Sequence, residues 1–464
     1  MCEMINKVIT KVGLAMLVLM ALVSSCSVDD YLSAIPAKST ALISIDLQRM
    51  AENSDGNSDG NRIEFLKSLL HVDDVASCGL DVSEKMYLFE TADGNLGLCA
   101  KVADDDDVDT WLTQLSQQHI CSTVSERKGF HFAVLKDSWL VGFSSKAFLV
   151  MGPVVADAQA ELQRQMIKYL SADEDAGIKS SRLYEQMDSL TTPMAMVAQA
   201  QALPDKFVAP FTLGAPKGAD ASQIVIAANM SVKNGVLHIE GKTFSFNDGI
   251  NKALQQSSKV YRPIQNTYVK SMPADALVGI FMNVDGTKFL PLLQGSQSLQ
   301  TLLMGINSAI DMDNIIRSVN GDMTIVMPTL GTDNMKMTMA AKLAHAKWLE
   351  DVDYWKQSCP KGSTIGNWGK NSFCYSDGKT TFYFGVTDDN QFFSGSDELS
   401  AQYSILPSNH PISRSVQQLV VGQKMAMVIN LAKSSGGNDA ISAATSLISP
   451  LFGRLNTIVY TMKN

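Results

Sequence analysis

Asp55, Asn57 and Asp59, followed by Gly60, place oxygen-bearing side chains at alternate positions of an Asp-x-Asn-x-Asp-Gly run. Hard cations such as Ca²⁺ take oxygen ligands in this spacing, and the run matches the opening half of an EF-hand loop. Its closing half is missing: the position for a bidentate Glu holds Leu66, and Glu64 stands two residues early. The tandem Asn-Ser-Asp-Gly repeat also reads as a polar low-complexity loop. Asp104–Asp107 offer a second cluster of acids; a cation could use them, but the favoured reading is the first turn of a helix, whose free N–H groups and dipole favour negative charge. Ser358-Cys-Pro-Lys361 has the Ser-x-x-Lys spacing of acyl-transfer enzymes, and Ser376-Asp377-Gly378 loosely echoes their second motif, but the third, Lys-Thr-Gly, is absent. The six histidines, at 71, 119, 131, 238, 345 and 410, form no His-Glu-x-x-His, and no Gly-x-Ser-x-Gly, Walker or Gly-x-Gly-x-x-Gly motif occurs. No catalytic residue and no cofactor site is therefore assigned. Asp55, Asn57 and Asp59 stand as an incomplete set of Ca²⁺ ligands.

The other reactive group is the thiol of Cys26. Lys7 and Lys11 precede an apolar run, Val12–Val23, which ends in Val23-Ser24-Ser25-Cys26. The run is about half the ~20 residues of a spanning helix, and its basic flank gives the layout of an export signal. Small residues before a cysteine resemble the bacterial lipobox, in which the thiol becomes the thioether that carries lipid. Residues 1–25 read as the signal peptide and 26–30 as a lipidated tether, so the expected partner is a membrane reached through acyl chains, which anchor firmly in twos and threes. Ser27-Val28-Asp29-Asp30 is either a solvated tether or an address to the outer face of an outer membrane. No later stretch is long and apolar enough to span a bilayer.

With 45% hydrophobic and 18% charged residues, the 464-residue chain has the means to bury sizeable cores. Net charge is -9, or -10 without residues 1–25, and there is no basic stripe, which argues against nucleic acid. Five cysteines remain beyond Cys2 and Cys26: Cys78, Cys99, Cys121, Cys359 and Cys374. The odd number and absence of Cys-x-x-Cys speak against a disulfide framework, with Cys359–Cys374 the most compatible pair.

The elements that must position any site are written twice. Tyr31-x-x-x-Ile35-Pro36-Ala37 answers Tyr268-x-x-x-Met272-Pro273-Ala274, Met86 answers Met323, Leu98-Cys-Ala-Lys101 answers Met339-Ala-Ala-Lys342, Trp111-Leu112 answers Trp348-Leu349, and Met194-Ala-Met-Val197 recurs as Met425-Ala-Met-Val428. Ordered matches at nearly constant offset argue for duplication. Each half opens with a strand (41–47, 277–284), then carries helical spacing (62–70, 299–310), a hairpin (85–90 with 96–102, 322–327 with 335–343), a helix holding the tryptophan, and short strands (130–135, 139–143 and 148–151; 373–375, 381–386 and 392–395). Helices are expected at 157–170 and 181–190, and a strand at 194–201. A hairpin over 224–246 turns at Asn234-Gly235, a strong hairpin dipeptide. The expectation is an α+β fold of two tandem repeats, 31–262 and a shortened 263–464, each a mostly antiparallel sheet with helices on one side. Repeat two ends one strand short at 458–462, leaving an open edge or one covered by another chain. Met335, Met337 and Met339 fall on one strand face, as core filler or as an adaptable apolar surface.

Cys26 with Tyr31-x-x-x-Ile35-Pro36, Trp139-Leu-Val-Gly-Phe143, Met151-Gly-Pro153, Leu213-Gly-Ala-Pro216 and Tyr261-Arg-Pro-Ile264 resemble an uncharacterised family of Bacteroidetes lipoproteins of roughly 500 residues. That resemblance implies a Gram-negative cell envelope and carries no activity. The functional expectation is a non-catalytic binding or scaffolding lipoprotein with a protein or glycan partner. The alternative is a surface-exposed hydrolase or glycan-handling protein.

Overall fold

Alternating apolar residues, rich in Val, Ile, Phe and Met, dominate the segments that pair as strands, because a pleated strand buries every second side chain on each face. The structure is a computed structural model describing residues 30–52, 67, 72–136, 138–296, 309–329, 336–431 and 455–462. Two compact units divide the chain. One takes residues up to Ser39 and Ser44–Glu185, the other Thr40–Ile43 and Gln186 onward, so strand β1 (Ala41–Ile45) is shared between them.

In the first unit, β2 (Met86–Glu90), β3 (Leu96–Lys101), β4 (Ser125–Arg127), β5 (Phe130–Leu135), β6 (Trp139–Phe143) and β7 (Ala147–Gly152) are antiparallel in the order β4-β5-β6-β7-β3-β2. The helix Asp105–Gln117 covers one face. Its apolar residues Val108, Trp111, Leu112 and Leu115 recur at helical spacing and join Ala100, Val141 and Phe148 in one core. Trp111 packs on Phe148 with ring centroids 5.8 Å apart. On the opposite face, Gly142 leaves room for Met166 of the helix Gln159–Leu170.

The second unit contains β8 (Met194–Gln199), β9 (Val225–Lys233), β10 (Val236–Phe244), β11 (Tyr261–Arg262), β12 (Val278–Asp285), β13 (Val319–Met327), β14 (Thr338–Leu343), β15 (Thr364–Gly369), β16 (Ser372–Ser376), β17 (Thr381–Val386), β18 (Gln391–Gly395), β19 (Met425–Asn430) and β20 (Thr457–Met462). They pair in the order β8-β9-β10-β20-β19-β12-β13-β14-β18-β17-β16-β15, with β11 on the end of β12. Within this order every pairing is antiparallel except β10–β20.

Several expectations hold: strands at 130–135, 139–143 and 381–386 have the expected bounds, and Met194 and Met425 each open a strand. Helices do not keep to one side, however. In the second unit Met282, Val284 and Met323 face the helices Gly286–Gly295 and Met312–Arg317, while Phe281, Val326 and Val428 face Val416 and Val420 of the helix Arg414–Val420. Strands with both faces buried must be covered twice. The C-terminal strand is not an edge either: β20 lies between β19 and this chain's own β10, where His238 Nε2 and Thr461 Oγ1 are 2.8 Å apart. The helical stretches expected at 62–70 and 299–310 fall almost wholly outside the described residues. At the β9–β10 turn, Asn234 and Gly235 have φ of 52° and 74°, the two left-handed residues that a tight hairpin turn demands. Gly235→Val, which adds a β-branched side chain there, is expected to lower stability by about 1–2 kcal/mol in urea unfolding, with Gly235→Asn nearer to wild type.

Candidate functional site

Residues directly opposite each other in antiparallel strands share a face, so register converts scattered sequence positions into rows. Met282 of β12 stands between Met425 of β19 and Met323 of β13. One pleat along, Ile280 pairs with Ile325, Ile325 with Met339, and Met339 with Ser394. These two rows floor a cavity of about 140 Å³ in the second unit. Phe289 and Leu293 of the helix Gly286–Gly295, Met312 and Ile316 of the helix Met312–Arg317, and Tyr261 and Leu213 complete the lining with Pro210, Met337 and Phe382. Asp285 and Asp311 cap the two helices, accepting hydrogen bonds from Thr287 N (3.1 Å) and Asn314 N (2.9 Å). The helices meet at Gly286, where a Cβ would lie 2.0 Å from the Ile316 carbonyl oxygen, so glycine sets their approach.

Polar residues near this cavity point away from it or are already engaged. Ser394 is fully buried and its hydroxyl donates to the Met339 carbonyl at 3.3 Å. Asp322, on the other face of β13, accepts from the backbone N–H of Gln265 (2.9 Å) and Thr267 (2.8 Å), and Asn283 Nδ2 donates to the Pro263 carbonyl (3.0 Å). Those bonds, with Arg262 donating to the Val284 carbonyl at 2.6 Å, fix the segment that presents Tyr261. Burial raises the Tyr261 hydroxyl well above its ordinary pKa, so it stays protonated and able to donate. The chemistry of such a lining suits apolar groups, and among the described residues it brings together no pair of groups for proton transfer.

Cys26, Asp55, Asn57 and Asp59 lie outside the described residues. Asp104 caps the helix Asp105–Gln117, accepting from Asp106 N (3.0 Å) and Asp107 N (3.1 Å). Asp377 accepts from Thr380 N (2.7 Å) and Lys379 N (2.9 Å), bonds that hold its carboxyl below the usual range, so Ser376-Asp377-Gly378 is a hairpin turn. The five described cysteines are free thiols, Cys359 and Cys374 included. Among the described residues no group of three or more His, Cys, Asp or Glu is placed to hold a metal ion, and no helix is long and apolar enough to cross a membrane. Sequence reasoning missed one polar pair. His131 Nδ1 lies 3.0 Å from Asp109 Oδ1 in a shallow depression of about 280 Å³ shared with Thr113, Ser116, Thr123 and Glu126. It also missed the cavity, whose only sequence signal was the methionine alternation ending at Met339.

Taken together, these features define an α+β protein with mostly antiparallel sheets and an apolar cavity. The chain belongs to the family described as a domain of unknown function, DUF4836, whose model matches residues 31–406. No curated protein matches the chain. A solved structure titled crystal form IV of TP0453 is similar at 10% identity over 45% of this chain and 77% of that one, with a TM-score of 0.27, too low to carry any argument.

Met282, 7% exposed, is central to the cavity floor. Met282→Ala is expected to cost about 2–5 kcal/mol in denaturant unfolding, and Met282→Leu under about 1.5 kcal/mol, because leucine restores the volume. In the first unit, burial pushes the Glu90 carboxyl from 4.5 up to about 7. The folded chain then keeps a proton that the unfolded chain has released, so this group's contribution to stability is fully present below about pH 4.5 and is lost as pH rises to about 7. Glu90→Gln is expected to flatten that decline in melts run across this window.

Proposed function

We propose that this chain is a lipid-tethered envelope protein that binds rather than catalyses, with the methionine-lined cavity of the second unit as its binding site. The cavity is the observation that carries the reading. Its described lining is apolar apart from Tyr261 and Ser394, and six of these sixteen residues are methionines, whereas the whole chain has 24 in 464. Unbranched, polarizable side chains at such density suit a wall that adjusts to an occupant. The tether is Cys26, whose lipobox-like setting argues for acylation at the surface of a Bacteroidetes-type outer membrane.

The same reading treats the two halves as tandem repeats. Support comes from matched connections: β4-β5-β6-β7-β3-β2 in one unit and β15-β16-β17-β18-β14-β13 in the other follow the same order. Trp111 sits on Phe148 of β7 at 5.8 Å, and Trp348 on Phe392 of β18 at 6.2 Å.

Two measurements test the proposal. Labelled palmitate is expected to mark the wild-type protein in its native host and to leave Cys26→Ser unmarked; equal labelling of both would remove the tether. Xenon, which enters dry apolar cavities of about 150 Å³, is expected to give a saturable NMR shift that Ile280→Trp abolishes. A folded wild-type protein that responds saturably neither to xenon nor to larger apolar probes would end the binding assignment.

A further inference from the structure

We infer that the ligand of the cavity is a small uncharged aromatic molecule that inserts a single ring, an inference that rests on the cavity being a binding site. Volume is the first argument. At about 140 Å³ the space matches the engineered apolar cavity of about 150 Å³ that binds benzene.

Wall chemistry is the second argument. Met282, Met323 and Met425 stand side by side on three adjacent strands, and Met312, Met337 and Met339 complete the set around the same space. Thioether sulfurs make favourable contacts with aromatic rings that a saturated chain of equal volume does not receive. Phe289 and Phe382 add ring edges and faces of their own. A flexible alkyl chain would also lose more rotational freedom on entering.

Charge is the third. None of the described lining residues carries a charge at neutral pH, so a charged ligand would leave its hydration uncompensated. Ser394 already donates to the Met339 carbonyl and makes no demand on an occupant. Tyr261 brings an aromatic ring to the lining, packed edge-on against Phe289 with centroids 6.0 Å apart.

The test uses the full chain with toluene, n-hexane and benzoate as probes, read by thermal melting and by titration of methionine methyl NMR signals. Toluene is expected to raise the melting temperature by about 2–5 °C near saturation, with hexane markedly weaker and benzoate without effect. In the variant carrying Met282→Leu, Met323→Leu and Met425→Leu, which conserves core volume, toluene affinity is expected to fall about tenfold with hexane affinity unchanged. Hexane binding as tightly as toluene would overturn the ring assignment and leave the apolar site standing. A saturable xenon response without toluene binding would do the same. Failure of xenon, toluene and hexane together in the folded wild-type protein would overturn both readings.

Discussion

Everything in the second unit depends on the alternation along β12. Its even-numbered residues Ile280, Met282 and Val284 face one core, and odd-numbered Phe281 faces the other. Because a strand's side chains alternate strictly, a slip of one residue against β13 or β19 would exchange the two sets. Met282 would leave the cavity floor, and Asn283, which now holds the Pro263 carbonyl, would enter it. The same constraint explains why Asp322 can be 4% exposed at no cost to the cavity. Its carboxylate falls on the opposite face, where two backbone N–H groups receive it.

Much of the strand content was legible because apolar alternation and turn chemistry agree locally. Phe130–Leu135, Trp139–Phe143 and Thr381–Val386 carry β-branched and aromatic residues up to their ends, and Asn234-Gly235 announces its hairpin. Strands β4 and β15 were not legible. Ser125–Arg127 is exposed throughout and Thr364–Gly369 largely so, and their partners rather than their own composition make them strands.

The site was hidden for a different reason. Met282, Met323, Met339 and Met425 are spread over more than a hundred positions, and only the register of four strands brings them together. The reading of methionines as either core or adaptable surface caught the right residue type at Met337 and Met339, while Met335 lies outside the described residues. His131 and Asp109 likewise meet across a strand and a helix, with no local spacing to announce them. The acids that did stand out, at Asp104–Asp107, serve a helix terminus.

The parallel seam between Val236–Gly241 and Thr457–Met462 gives the molecule a distinctive assembly problem. A ribosome delivers β10 more than two hundred residues before its parallel neighbour, so β10 and β19 keep unsatisfied backbone edges until Thr457–Met462 arrives. Closing the seam joins segments far apart in sequence, so it is a slower step than forming the hairpins on either side of it.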